Sequence, residues 1–242
     1  MDKKTMLVRR HYEAYPYPSR KLINENSMHD YAKWILERTG LSEHDIKGNA
    51  VLEAGCGTGE LSVSFALSRA NVTAIDISRN SIEIGKETAN KYNAKVEFLE
   101  QDILSMELKK RFDFVFSLGV LHHTINPKKA FSVLASHTKE GGTLCIGLYH
   151  SKGRVGQRLK RAFVGMLAPF GTEAREKAIE LLYGRKQLEK RGKNYVYDKF
   201  LVPIESYHTE KEVKKWFHEN GFGEVMIVFP EKGFFIASGK KG

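Results

Sequence analysis

Gly55, Gly57 and Gly59 alternate within VLEAGCGTGE (residues 51–60), directly after a short apolar run. A strand that ends in glycines and runs straight into a helix gathers bare backbone N–H groups and the positive helix end in one place, a common way to hold a nucleotide-like ligand. The plainer alternative is a tight strand-to-helix turn. The spacing discriminates among ligands. A dinucleotide fingerprint G-x-G-x-x-G needs its third glycine at position 60, where Glu60 stands, which disfavours NAD. No Gly-Lys-Ser/Thr follows, so the Walker pattern also fails.

Two other groups carry candidate chemistry. His122 and His123 follow a later apolar run, and imidazole is the side chain best placed to move a proton near neutral pH. The alternative is that they cap a strand end or line a pocket; His150 is a weaker candidate. Tyr12, Tyr15 and Tyr17 alternate with basic residues and prolines in RRHYEAYPYPSR, where Pro16 and Pro18 stiffen the backbone. Cys56 and Cys145 form neither a metal-ligand spacing nor a disulfide framework.

These residues need elements to position them. From residue 50 short β-like runs alternate with helical patterns, the signature of a parallel sheet covered by helices. Strands are expected at AVLEAG, NVTAID, AKVEFLEQD, FDFVFSLG and GGTLCIGLY, separated by helices at ELSVSFALSR, RNSIEIGKETANKY and NPKKAFSVLASHT. After residue 200 a helix at TEKEVKKWFHENGF, capped by Thr209 and ended by Gly221, precedes two strands, EVMIVF and GFFIASG.

The net charge of +10 is uneven. Residues 151–200 carry 13 basic against 5 acidic side chains, whereas residues 51–150 carry 11 of each. Within this insertion Leu159, Phe163, Met166 and Leu167 recur at helical spacing; they could face core or substrate, and core is the expectation. No run approaches the roughly 18 to 20 apolar residues of a membrane helix, and the first residues contain no apolar signal core, so a cytoplasmic location is expected.

VLEAGCGTG resembles motif I of the class I S-adenosylmethionine (SAM) methyltransferases, and residues 50–150 follow that family in order. The resemblance implies a Rossmann-like α/β fold, a seven-stranded mostly parallel sheet with an antiparallel last strand and helices on both faces. It implies a glycine loop passing under the methionine part of SAM, formed here by Gly55, Cys56, Gly57 and Gly59, with Glu53 orienting the loop or meeting the cofactor amino group. Asp76, followed by Ile77, stands where the family binds the ribose hydroxyls. Asp102 and Ile103 stand where it faces adenine, and Ser117 and Leu118 near the cofactor on the fourth strand. The N-terminal segment resembles the Y-x-x-x-P-Y-P leader of some members, which implies Tyr12, Tyr15 and Tyr17 over the cofactor mouth.

The chain divides on this basis into an N-terminal lid (1–45), a SAM-binding core (46–150), a basic helical substrate cap (151–200) and a segment completing the sheet (201–242). SAM methyl transfer requires chiefly a nucleophile held in line with the C–S bond, with His122 or His123 available as a base. The leading expectation is a methyltransferase acting on a small or medium-sized acidic acceptor, gathered by cap residues such as Arg154 and Arg158. An RNA methyltransferase, a protein methyltransferase and a non-catalytic SAM-binding protein are the alternatives. No RRM, KH, OB or zinc-knuckle motif is present, and the N/D-P-P-Y/F signature is replaced by SLGVLHH after the fourth strand.

Overall fold

A computed structural model describes residues 2–17 and 24–242, without the side chains of Gln187 and Arg191; Pro18 lies outside the described residues. The elements run α1 (Lys3–Ala14), α2 (Glu25–Arg38), α3 (Glu43–Ile46), β1 (Ala50–Ala54), α4 (Glu60–Leu67), β2 (Asn71–Asp76), α5 (Arg79–Lys91), β3 (Val96–Glu100) and β4 (Phe112–Leu118). They continue with α6 (Pro127–Ser136), β5 (Thr138–Tyr149), α7 (Val155–Met166), α8 (Gly171–Tyr183), α9 (Arg185–Arg191), α10 (Lys193–Leu201), α11 (Glu210–Glu219), β6 (Phe222–Glu231) and β7 (Phe234–Lys241).

The strands form one sheet in the order β3-β2-β1-β4-β5-β7-β6, and β7 runs antiparallel to both neighbours, as the family resemblance implied. Its central strands are buried on both faces, so consecutive residues serve different cores. Val51 belongs to one buried cluster with Ala32, Ile35 and Leu36 of α2 and Phe65 of α4, while Leu52 belongs to another that includes Phe131 of α6 and Trp216 and Phe217 of α11. Local signals set the helix ends. The Thr209 hydroxyl accepts from Glu212 N at 3.2 Å, and Gly221 takes φ +81° beyond α11.

Strand order reverses between β1 and β4, and ligands in open α/β sheets bind beyond the carboxyl ends of strands at such a point. Two pieces cover that end. The insertion has a small core of its own, built on Val164, Ile179, Val196 and Phe200, and α1 is tied to it. Tyr12 Oη donates to Asp198 at 2.9 Å, Asn194 Nδ2 donates to the Pro16 carbonyl at 3.0 Å, and the Tyr15 and Tyr197 rings meet edge to face at 5.2 Å. Helix α2, by contrast, packs on α4 as part of the sheet cover.

The expectation that Leu159, Phe163, Met166 and Leu167 join a core holds only for Leu167, partly buried against the cap core, and is overturned for the other three. All three are exposed on α7, and Val164 is the buried residue of that helix. Helical spacing reveals a stripe, but not whether the stripe faces in.

Candidate active site

The glycine loop is shaped by backbone geometry that only glycine adopts readily. Gly55, Gly57 and Gly59 have φ of +79°, +52° and +80°, the left-handed region. Their surroundings differ. A Cβ on Gly55 would lie 2.4 Å from Val120, and one on Gly59 would lie 3.0 Å from Gly85 Cα and from the Phe98 ring. A Cβ on Gly57 would meet only Tyr17 Cβ at 4.0 Å. Gly57 therefore borders open space, whereas Gly59 lets α4 start close against α5 and β3.

That space is a cavity of about 1060 Å³ whose walls include Glu53, Gly55, Cys56, Gly57, Asp76, Ile77, Asp102, Ile103 and Leu118. Asp76 ends β2 and braces the loop: Oδ2 accepts from Gly57 N and Oδ1 from Ser78 N, each at 2.9 Å. Burial raises its pKa from the ordinary aspartate value, and these two backbone donors oppose the rise. Glu53 is buried within β1 and accepts from the Ser62 hydroxyl. Burial pushes it up to about 8, opposed by the Ser62 hydrogen bond and assisted by the charge of Glu60. Asp102 both caps the 3-10 turn Ile103–Ser105, accepting from Leu104 N at 3.0 Å, and lines the cavity.

The other side of the cavity is built by the cap and by the turn after β4. His123 lines it, and its Nδ1 lies 2.7 Å from the Ile204 carbonyl. A carbonyl only accepts, so in the neutral ring Nδ1 carries the proton and Nε2 keeps the lone pair. Tyr12, Tyr149, Arg154 and Asp198 line the same region. The Arg154 guanidinium lies 3.6 Å above the Tyr149 ring centroid. Its Nε is buried with no hydrogen-bond partner among the described residues. Burial, followed by the Asp198 charge, raises the Tyr12 phenol well above its usual range, so it stays a hydrogen-bond donor.

Six sequence candidates lie away from the cavity wall. Gly59 serves helix packing, as above. Ser117 is buried and donates to the Ala54 carbonyl at 2.8 Å, tying β4 to β1. His122 is fully buried, stacks on Tyr149 at 3.8 Å, and has no hydrogen-bond partner for either nitrogen among the described residues. Burial, then the electrostatic influence of His123 and Arg154, holds it well below the usual imidazole pKa, so it stays neutral behind the wall. Tyr15 packs on His11 and Tyr197, and Arg158 lies on the cap surface 4.7 Å from the Tyr207 ring centroid. His150 is likewise engaged elsewhere, its Nε2 3.0 Å from Glu210.

Two residues had no signal as site candidates. Tyr149 ends β5 and underlies Arg154, and Asp198 reaches Tyr12 across 186 positions of sequence.

These residues fit S-adenosylmethionine. The loop leaves room where a Cβ on Gly57 would intrude, a carboxylate stands at the end of β2, and Glu53, Glu60, Asp76 and Asp102 offer acidic walls to a sulfonium and an ammonium. A methyltransferase-domain family model matches residues 45–221. The ubiquinone biosynthesis O-methyltransferase of Rickettsia typhi is 29% identical over 192 residues, covering 77% of this chain and 70% of that protein. Magnesium protoporphyrin IX methyltransferase from Synechocystis PCC 6803, solved with bound SAH, superposes with a TM-score of 0.65 at 20% identity over 100% of both chains. PKMT2 from Rickettsia typhi in complex with AdoHcy gives 0.66 at 15% identity over 93% of this chain and 55% of that one. The family match over most of the chain, on a sheet of this order with its glycine loop at the switch point, makes this protein a class I SAM-dependent methyltransferase.

Proposed function

We propose that the chain methylates a hydroxyl of a small aromatic acceptor that also carries an acidic group, with SAM on the glycine-loop side of the cavity and the acceptor on the cap side. SAM supplies an electrophilic methyl on a sulfonium. Glu53, Gly57, Asp76 and Asp102 hold the donor, with Cys56, Ile77, Ile103 and Leu118 as its apolar surround. His123 Nε2 takes the acceptor's hydroxyl proton while the oxygen bonds to the methyl carbon and the C–S bond breaks with its electron pair on sulfur. Tyr12 flanks the acceptor ring, and Arg154, seated on Tyr149, meets its anionic group.

The observation that carries this reading is the pairing of His123, its Nδ1 proton fixed on Ile204, with Arg154, whose buried Nε has no partner among the described residues, on one cavity wall. The likeness to an O-methyltransferase supports it. Purified protein is incubated with methyl-labelled SAM and a panel of phenols with and without a carboxylate, and products are weighed by mass spectrometry. The expected result is methylation on oxygen, favouring the carboxylates. His123→Gln should lower kcat roughly a hundredfold or more with SAM affinity kept. Label that enters only nuclease-sensitive or protease-sensitive cell material would overturn the proposal in favour of an RNA or protein acceptor.

A further inference from the structure

Helix α7 presents its apolar side to solvent. Val155, Leu159, Phe163 and Met166 are 59%, 68%, 44% and 68% exposed, whereas Val164 is fully buried in the cap core. At about 100° per residue the four exposed side chains fall within an arc of about 80°, and Val164 lies roughly opposite. Phe170, 74% exposed, follows in the next turn. Single exposed apolar residues are ordinary, but a contiguous stripe marks a contact surface.

The stripe has basic edges. Arg158 and Lys160 are exposed on either side of it, Lys152 is exposed just before the helix, and residues 151–172 contain no acidic side chain. Arg161 is turned inward, 3.3 Å from Glu205. A second copy of this chain docking stripe to stripe would press like charges together. An anionic bilayer surface receives both features, apolar side chains at the acyl boundary and cations among the headgroups.

We propose that α7 is an interfacial helix that docks the cap onto an anionic lipid surface. The binding is peripheral, since no helix among the described residues is long and apolar enough to cross a membrane. Arg154, which lines the cavity, directly precedes Val155, the first residue of the stripe, so a bilayer engaged by α7 meets the molecule beside the cavity wall.

Sedimentation of the full chain with vesicles of phosphatidylcholine alone, or of phosphatidylcholine with phosphatidylglycerol, tests this. The wild type should sediment with the anionic vesicles, less so as salt rises, and hardly with the neutral ones. Leu159→Gln with Met166→Gln should lower the partition coefficient roughly tenfold, with circular dichroism and SAH affinity unchanged. Arg158→Gln with Lys160→Gln should remove the preference for anionic lipid. Absence of wild-type binding to anionic vesicles overturns the proposal, as does equal binding by the Leu159/Met166 variant. A dimer in analytical ultracentrifugation that this variant dissolves, without vesicle binding, also overturns it and assigns the face to a second copy.

Discussion

Two carboxylates dominate the donor side of the cavity, and their surroundings give them different expected behaviour. Asp76 accepts from Gly57 N and Ser78 N and lies where the ribose hydroxyls are expected. Asp76→Ala should weaken SAM and SAH binding by about 1.5 to 3 kcal/mol, roughly ten- to a hundredfold, measured by calorimetry on a variant with an unchanged circular dichroism spectrum. Unchanged affinity would put the ribose elsewhere. Glu53 is distinct because its folded pKa, about 8, lies above the ordinary 4.5. A carboxyl raised in this way stabilises the fold fully below its unfolded pKa, and that contribution is lost as pH rises through the folded value. The melting temperature of the ligand-free protein should therefore fall as pH rises from about 4.5 to about 8 and level off above that, and Glu53→Gln should flatten the fall. Cationic SAM favours the ionised carboxyl, so its affinity in the wild type should rise with pH towards about 8 and be pH-independent in the variant. A wild type and variant with parallel pH profiles would remove Glu53 from the site.

At the scale of elements, the three glycines separate by what lies beyond each missing Cβ. Gly57→Ala and Gly59→Ala impose a similar left-handed backbone cost, on the order of 1 to 3 kcal/mol, so the comparison isolates the surroundings. Gly57→Ala should lower SAM affinity at least about tenfold while adding little further instability. Gly59→Ala should lower the melting temperature more, because its Cβ meets Gly85 and Phe98 at 3.0 Å. Equal melting temperatures would contradict that division. The strand and helix sequence of the core was legible because strand alternation, Gly55 to Gly59 and the Thr209 cap are local signals. Asp76 and Asp102 were legible for the same reason, each standing where a strand gives way to a turn. What was not legible depends on direction or on distance in sequence. His122 and His123 are adjacent, yet one stacks behind Tyr149 and the other faces the cavity. The Tyr12–Asp198 contact joins two segments that only the folded sheet brings together.

For the molecule as a whole, the excess positive charge of residues 151–200 divides among different tasks. Arg161 pairs with Glu205, Arg158 lies on the outer surface, and Arg154 lines the cavity alongside Lys190 and Lys199. Neutralising the segment wholesale would therefore mix folding, surface and site effects. The direct measurement is steady-state kinetics of Arg154→Gln and Arg154→Lys against a matched pair of acceptors, a hydroxybenzoic acid and the phenol without its carboxylate, with SAM affinity determined in parallel. The expected result is a KM for the acid raised roughly ten- to a hundredfold in Arg154→Gln, partly restored in Arg154→Lys, with the phenol's KM and SAM affinity nearly unchanged. A wild type that treats acid and phenol alike, or an Arg154→Gln variant with an unaltered KM for the acid, would contradict an acidic acceptor bound against the cap.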